Sequence, residues 1–295
     1  MSTFQSVLVD IYVVAAVVVT IQLSLLVAFI LVMETRRAVK ETLTPLNFFL
    51  VIGHVAFTGV FISRAINLNN NLEIPYNPIF CVEVFCAGTG AIFYFKFSFI
   101  RSGDLIQSET PAWFNFLLTW IVMLSPFIYY SPFVAAVCFA LQFTAATPAR
   151  DAIFYTCGLC SSVLTLFLET SFLFIYVRFM RKTVNTALGV DTHFLIVARY
   201  GLSGCVVMYL NFFIFLADAV TTGREERLAL VTVSYLELAI TLTILFAMKV
   251  AIWRHKQTKR SNQGSGMAQS SVLMTRKEST RMPNNRKESS VLILE

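Results

Sequence analysis

The sequence predicts an all-α integral membrane protein, a bundle of seven transmembrane helices with the N-terminus outside. A short extracellular segment covers 1–8, the bundle covers 9–253, and a disordered cytoplasmic tail covers 254–295. Three observations predict this. Hydrophobic residues make up 57% of the chain and charged ones 14%, with a mean hydropathy of +0.70, outside the range of soluble globular chains. Apolar runs of the roughly 20 residues that cross a bilayer recur along the chain. Lys and Arg gather in alternate connections, as they do on the cytoplasmic side of membranes.

The first run, 9–33, is too long for a signal-peptide core and has no basic segment ahead of it, so it acts as its own insertion signal. The second, 46–66, follows Leu-Thr-Pro at 43–45, where Thr44 is placed to cap and Pro45 to open a helix. A polar, turn-rich loop at 67–78 leads to the third run, 79–100. The fourth is 113–130; the apolar stretch 132–147 after it is too short to span, and is expected to fold back over the outer mouth of the bundle as a lid. The fifth, sixth and seventh runs are 152–177, 194–218 and 228–253. This count puts Arg36, Arg37, Lys40, Arg101, Arg178, Arg181, Lys182 and the basic start of the tail inside, and leaves Arg150, Arg224 and Arg227 outside. An eighth helix at 132–147 would put the basic tail outside.

The third run opens with Cys-Val-Glu-Val-Phe-Cys at 81–86, at its outer end. Cys81 there faces the oxidising side, as does Cys138 in the apolar outer loop, and a disulfide between them would tether that loop. Cys86 and Cys157 compete for the same role, and free thiols packed as small hydrophobes are the alternative. Cys160 and Cys205 read as packing.

Ionisable side chains inside a bilayer are costly and mark functional positions. Arg64 and Glu83 lie near the outer ends of the second and third helices, where they either pair or leave Glu83 to a ligand. Glu237, near the middle of the seventh helix, is a candidate ligand or proton site. Tyr209 and Asn211 bring polar tips to the outer half of the sixth, as ligand contacts or as interhelical hydrogen bonds. Glu169 and Arg199 lie at similar depths above the inner face, so a salt bridge coupling helices five and six is expected. His54 reads as a hydrogen-bonded core histidine, and Lys96 and Lys249 as snorkelling side chains.

These features together, with seven spans, a Cys atop helix three and another in the second outer loop, basic inner loops and a Ser-rich tail, resemble a G-protein-coupled receptor. The resemblance implies a ligand pocket in the outer half and a heterotrimeric G protein docked on the inner face, near Arg101, Arg178, Arg181 and Lys182. It also implies that loss of a Glu169–Arg199 pair would raise basal signalling. The chain departs from the rhodopsin-like class: helix three ends Phe-Ile-Arg-Ser-Gly-Asp at 99–104 rather than in Asp-Arg-Tyr, and neither 194–218 nor 228–253 contains proline. In the tail, Arg-Lys-Glu-Ser occurs at 276–279 and 286–289, making Ser279 and Ser289 phosphorylation candidates or chance products of a basic, Ser-rich composition.

The expected function is that of a chemosensory or small-molecule receptor in the plasma membrane, with a small apolar ligand, a G protein and membrane lipids as partners. A proton-coupled or small-solute transporter is the alternative, although no internal repeat relates the two halves. There is no His-Glu-x-x-His, no Gly-x-Ser-x-Gly and no histidine cluster, since His54, His193 and His255 are dispersed. Neither enzymatic activity, a cofactor, a metal nor nucleic-acid binding is expected.

Overall fold

The computed structural model describes residues 3–34, 44–70, 77–141, 148–185 and 192–279. It forms two compact units, Met1–Val250 and Ala251–Glu295. The described residues are helical almost throughout: α1 (Thr3–Phe29, continued by a π-turn over Ile30–Glu34), α2 (Pro45–Asn69), α3 (Pro78–Arg101), the short α4 (Gly103–Glu109), α5 (Ala112–Tyr129), α6 (Ser131–Ala140), α7 (Pro148–Asn185), α8 (Thr192–Val220) and α9 (Arg224–Ser279). Seven helical stretches among the described residues are long and apolar enough to cross a membrane, with α5 and α6 forming one of them, Ala112–Ala140. The protein is therefore an integral, multi-pass membrane protein.

Local chemistry sets the helix starts. The Thr44 side chain accepts from the Asn47 amide at 3.3 Å, with Pro45 in the first turn, where its missing N–H costs nothing. Asn77 does the same for α3: its side-chain oxygen accepts from the Phe80 amide at 2.8 Å, Pro78 follows it, and its amide donates to Asn67 Oδ1 on α2 at 2.9 Å. One residue thus caps α3 and ties it to the preceding helix.

Over its described residues, 132–141, the expected lid is helical as far as Ala140 and not a loop. Tyr130 N donates to Pro126 O at 2.9 Å and Val134 N to Tyr130 O at 3.0 Å, so helical hydrogen bonding runs from α5 into α6. Pro132 falls in the first turn of α6, which tolerates it. The disordered tail is likewise not found over 254–279, which are helical; Ser289 lies outside the described residues, as do Arg36, Arg37, Lys40 and the side chain of Ser279.

Packing inside the bundle follows helical spacing. Tyr12, Ala15, Ala16 and Val19 of α1 meet Phe57, Val60, Phe61 and Ala65 of α2, with Leu242 of α9 completing the cluster. On α1 these are the i, i+3, i+4, i+7 positions of one face, and on α2 the i, i+3, i+4, i+8 positions. The opposite face of α1 leaves Val13, Val14, Val17 and Ile21 exposed, a surface suited to lipid. Elsewhere the fit is closer: a Cβ on Gly201 of α8 would come within 2.4 Å of the ring of Tyr176 on α7. That ring is fully buried and its hydroxyl is fixed to Ser102 Oγ at 2.6 Å, so it has nowhere to move. Gly201→Ala is therefore expected to cost about 1–3 kcal/mol by overpacking. Gly158→Ala, whose added Cβ meets nothing within 4 Å inside a helix, is expected to stabilise by up to about 1 kcal/mol through helix propensity; thermal unfolding of the purified variants checks both.

Candidate functional site

A polar cluster joins four helices at the end of the bundle that carries Glu83. Arg64 Nη1 of α2 lies 3.5 Å from Glu83 Oε1 of α3, with side chains 13% and 2% exposed. The same Glu83 oxygen accepts from the Tyr235 hydroxyl of α9 at 2.7 Å. Beside them Tyr12 of α1 donates to Thr232 Oγ1 of α9 at 3.0 Å. Arg64 Nε and Glu83 Oε2 are buried without a hydrogen-bond partner. A charge pair this well buried is stable only while both members are present.

Above this cluster lies a cavity of about 570 Å³, whose walls include Arg64, Glu83, Tyr235, Asp218 and Arg227. Arg227 closes one side, with Nε 3.4 Å from Asp218 Oδ1 on α8 and Nη2 donating to the Tyr155 hydroxyl on α7 at 2.9 Å. A second cavity of about 330 Å³ shares Val84, Phe154, Gly158, Phe215, Ser234 and Tyr235 with the first. Both volumes lie within the ~300–1,000 Å³ typical of small-molecule sites.

Of the residues expected to meet a ligand, Glu83 lines the larger cavity and Asn211 the smaller, where its amide also donates to Ser234 O at 2.9 Å and joins α8 to α9. Tyr209 and Glu237 line neither. Tyr209 is two residues, about 200°, around α8 from Asn211 and faces α7, its hydroxyl 2.5 Å from Thr170 Oγ1. Glu237 is buried beside Asn211, with Oε2 unpartnered.

The expected Cys81–Cys138 disulfide is absent, and all the cysteines are free. Cys81 packs instead against Ala136 and Phe139. Those two residues mark the face of α6 turned toward α3, and Cys138, about 200° from Ala136 and 100° from Phe139, points away. The expected Glu169–Arg199 pair is absent too. Glu169 is buried facing Tyr94 and Cys205, although neither makes a hydrogen bond of ordinary geometry to it, while Arg199 is exposed. The partner of Glu169 on α8 lies six residues after Arg199, about 9 Å along the helix.

At the opposite end Arg101 does not project outward as a free docking cation. It is half-buried, and its Nη2 donates to Val197 O of α8 at 3.3 Å and to the Tyr176 hydroxyl of α7 at 3.5 Å. Arg178 and Lys182 are held by Glu109, the buried last residue of α4, at 3.5 and 3.0 Å. Arg181 alone of this basic group is exposed without an ion pair among the described residues. His54 Nδ1 meets Leu50 O at 2.8 Å within α2, and the Lys249 ammonium donates to Asn47 Oδ1.

The functional geometry that sequence reasoning missed comprises Tyr12, Thr232 and Tyr235 around the Arg64–Glu83 pair, Glu109 as an anchor, and Tyr176 beneath Arg101. Glu109 had one readable signal: it ends a short segment, Gly103–Glu109, in which Leu105, Ile106 and Glu109 share a buried face. No protein-family model matches the chain, and no curated protein or solved structure is significantly similar to it.

Two outcomes follow. Arg64→Ala is expected to destabilise the protein by about 3–5 kcal/mol by leaving Glu83 buried and unpaired, with much of the loss recovered in Arg64→Met/Glu83→Gln; thermal unfolding reads both. Alkylation of the denatured, unreduced protein is expected to label all 6 cysteines, checked by intact mass.

Proposed function

We propose that this protein is a receptor of the G-protein-coupled type, in which a small molecule held in the cavities near Glu83 controls engagement of a heterotrimeric G protein at the Arg101 end. The observation that carries this reading is the course of α3. The helix walls both cavities through Val84, adds Tyr94 to the smaller one, and seven residues later ends in Arg101, whose guanidinium reaches α7 and α8. A ligand that alters how α3 packs at one end therefore alters a three-helix contact at the other. The plasma membrane is the location this role requires.

A second reading, a proton-coupled transporter, has its own support in Glu169 and Glu237, buried carboxylates with unpartnered oxygens. The two readings separate without knowledge of the ligand. Basal activation of each G-protein class is measured in cells expressing the wild type, Arg101→Ala and Tyr176→Phe at matched surface levels. The receptor reading expects at least one variant to shift basal activation of one class by about threefold or more, the effect of a hydrogen bond worth roughly 0.5–1.5 kcal/mol. Normal surface expression with no response above untransfected cells, from any variant or class, sinks it. Proton flux in proteoliposomes, lost in Glu169→Gln, would then favour transport.

A further inference from the structure

The two cavities differ in charge. Among the described residues, the larger is walled by three cations, Arg64, Arg224 and Arg227, and by two carboxylates, Glu83 and Asp218. The carboxylates are already engaged, Glu83 with Arg64 at 3.5 Å and Asp218 with Arg227 at 3.4 Å. Arg224 is the cation left over: it is exposed at the mouth beside exposed Thr222, and no described carboxylate lies within ion-pair distance of it. Glu225 and Glu226, which follow it in the first turn of α9, are not among the residues lining the cavity, and Glu226 turns back over Gly223.

Among the described residues, the walls of the smaller cavity include no Asp, Glu, Lys or Arg. Its aromatic and aliphatic lining includes Phe57, Met208 and Phe212, and several of its hydroxyls are spent within the protein: Tyr129 with Thr165 at 2.9 Å, and Thr241 on Glu237 O at 3.0 Å. A molecule passing from the larger cavity to the smaller therefore leaves described walls that carry one more cation than carboxylates for walls that offer apolar contact. Gly158 stands in the wall of both, and a Cβ there would meet no atom within 4 Å, so no neighbouring atom fills the space where a passage between them would run.

We infer that the ligand is a monoanionic amphiphile, a carboxylate on an unbranched apolar tail, with its head at Arg224 and its tail along Gly158 in the smaller cavity. A cationic amphiphile meets an excess of arginine at the mouth, and a neutral one leaves Arg224 unused. The inference deepens the proposed receptor function by naming the ligand class. Its test contains no G protein, so failure here and failure of coupling are separate results.

The full chain is reconstituted in nanodiscs of phosphatidylcholine, and binding of radiolabelled decanoate is measured against empty discs. Saturable binding is expected, with decanol and decyltrimethylammonium competing at least about tenfold less well than unlabelled decanoate. Arg224→Gln is expected to raise Kd about fivefold, as loss of one charge-assisted contact at an exposed site should. Gly158→Phe, which fills the passage, is expected to abolish binding. The inference is overturned by an absence of saturable binding, by decanol competing as well as decanoate, or by wild-type affinity in Arg224→Gln. Arg224 is exposed and makes no ion pair among the described residues, so that variant decides the matter even if Gly158→Phe fails to fold.

Discussion

Hydrocarbon offers no hydrogen bonds, and that constraint governs the whole structure. A chain of this composition crosses such a medium as helices, which satisfy every backbone group internally. It does not hold those helices together by hydrophobicity, because lipid tails are as apolar as the valines and phenylalanines they touch. Cohesion therefore rests on close fit and on the few polar side chains that meet across helices. Many Ser and Thr hydroxyls follow the same rule: Thr20, Thr58 and Thr119 each donate to the carbonyl four residues earlier and so spend their hydroxyl protons within their own helices.

Two such polar groupings, one near each end of the bundle, divide the work. At the Glu83 end, Arg64, Glu83, Tyr235, Tyr12 and Thr232 bind α1, α2, α3 and α9 into one unit. At the other end Arg101, Tyr176 and Ser102 bind α3 to α7, and Val197 O adds α8. The cavities sit toward the first grouping, against helices that it fixes on one side only. The opposite wall, from α7 and α8, is held at the mouth by the exposed Arg227 contacts to Asp218 and Tyr155. Arg227 is the more exposed cation of the two ion pairs, so this wall is the less tightly held of the two.

Hydropathy and charge bias made the spans legible: the second and third were expected at 46–66 and 79–100 and are Pro45–Asn69 and Pro78–Arg101. Capping chemistry at Thr44 was readable for the same reason, being local. What was hidden depends on rotation about a helix axis and on register between helices, which an apolar run does not encode. Cys138 was on the right stretch but on the wrong face of α6. Glu169 met Cys205 rather than Arg199 because depth counted from helix ends misses an offset of six residues. The stretch 132–147 reads as an outer loop because it is too short to span and an eighth helix there would put the basic tail outside; neither argument bears on a short helix that continues the fourth span, which is what 131–140 forms, with Pro132 in a first turn where it does no harm. The Arg64–Glu83 pair was visible as two charges at equal depth on neighbouring helices, whereas Tyr12 and Tyr235 were lost among the many aromatics.

The way α3 lies along α7 carries a consequence for how this chain can vary. Tyr94 faces Glu169 and Arg101 reaches Tyr176, so positions seven apart on one helix meet positions seven apart on the other. Seven residues are two turns, and the match holds only while both intervals stay equal. Substitutions between these positions leave the phase intact, but inserting or deleting one residue in either helix turns everything beyond it by about 100°. Arg101 would then be carried out of reach of Tyr176. Natural variation between 94 and 101, and between 169 and 176, should therefore proceed by exchange of side chains and never by change of length, a pattern that sequences of related chains would display directly.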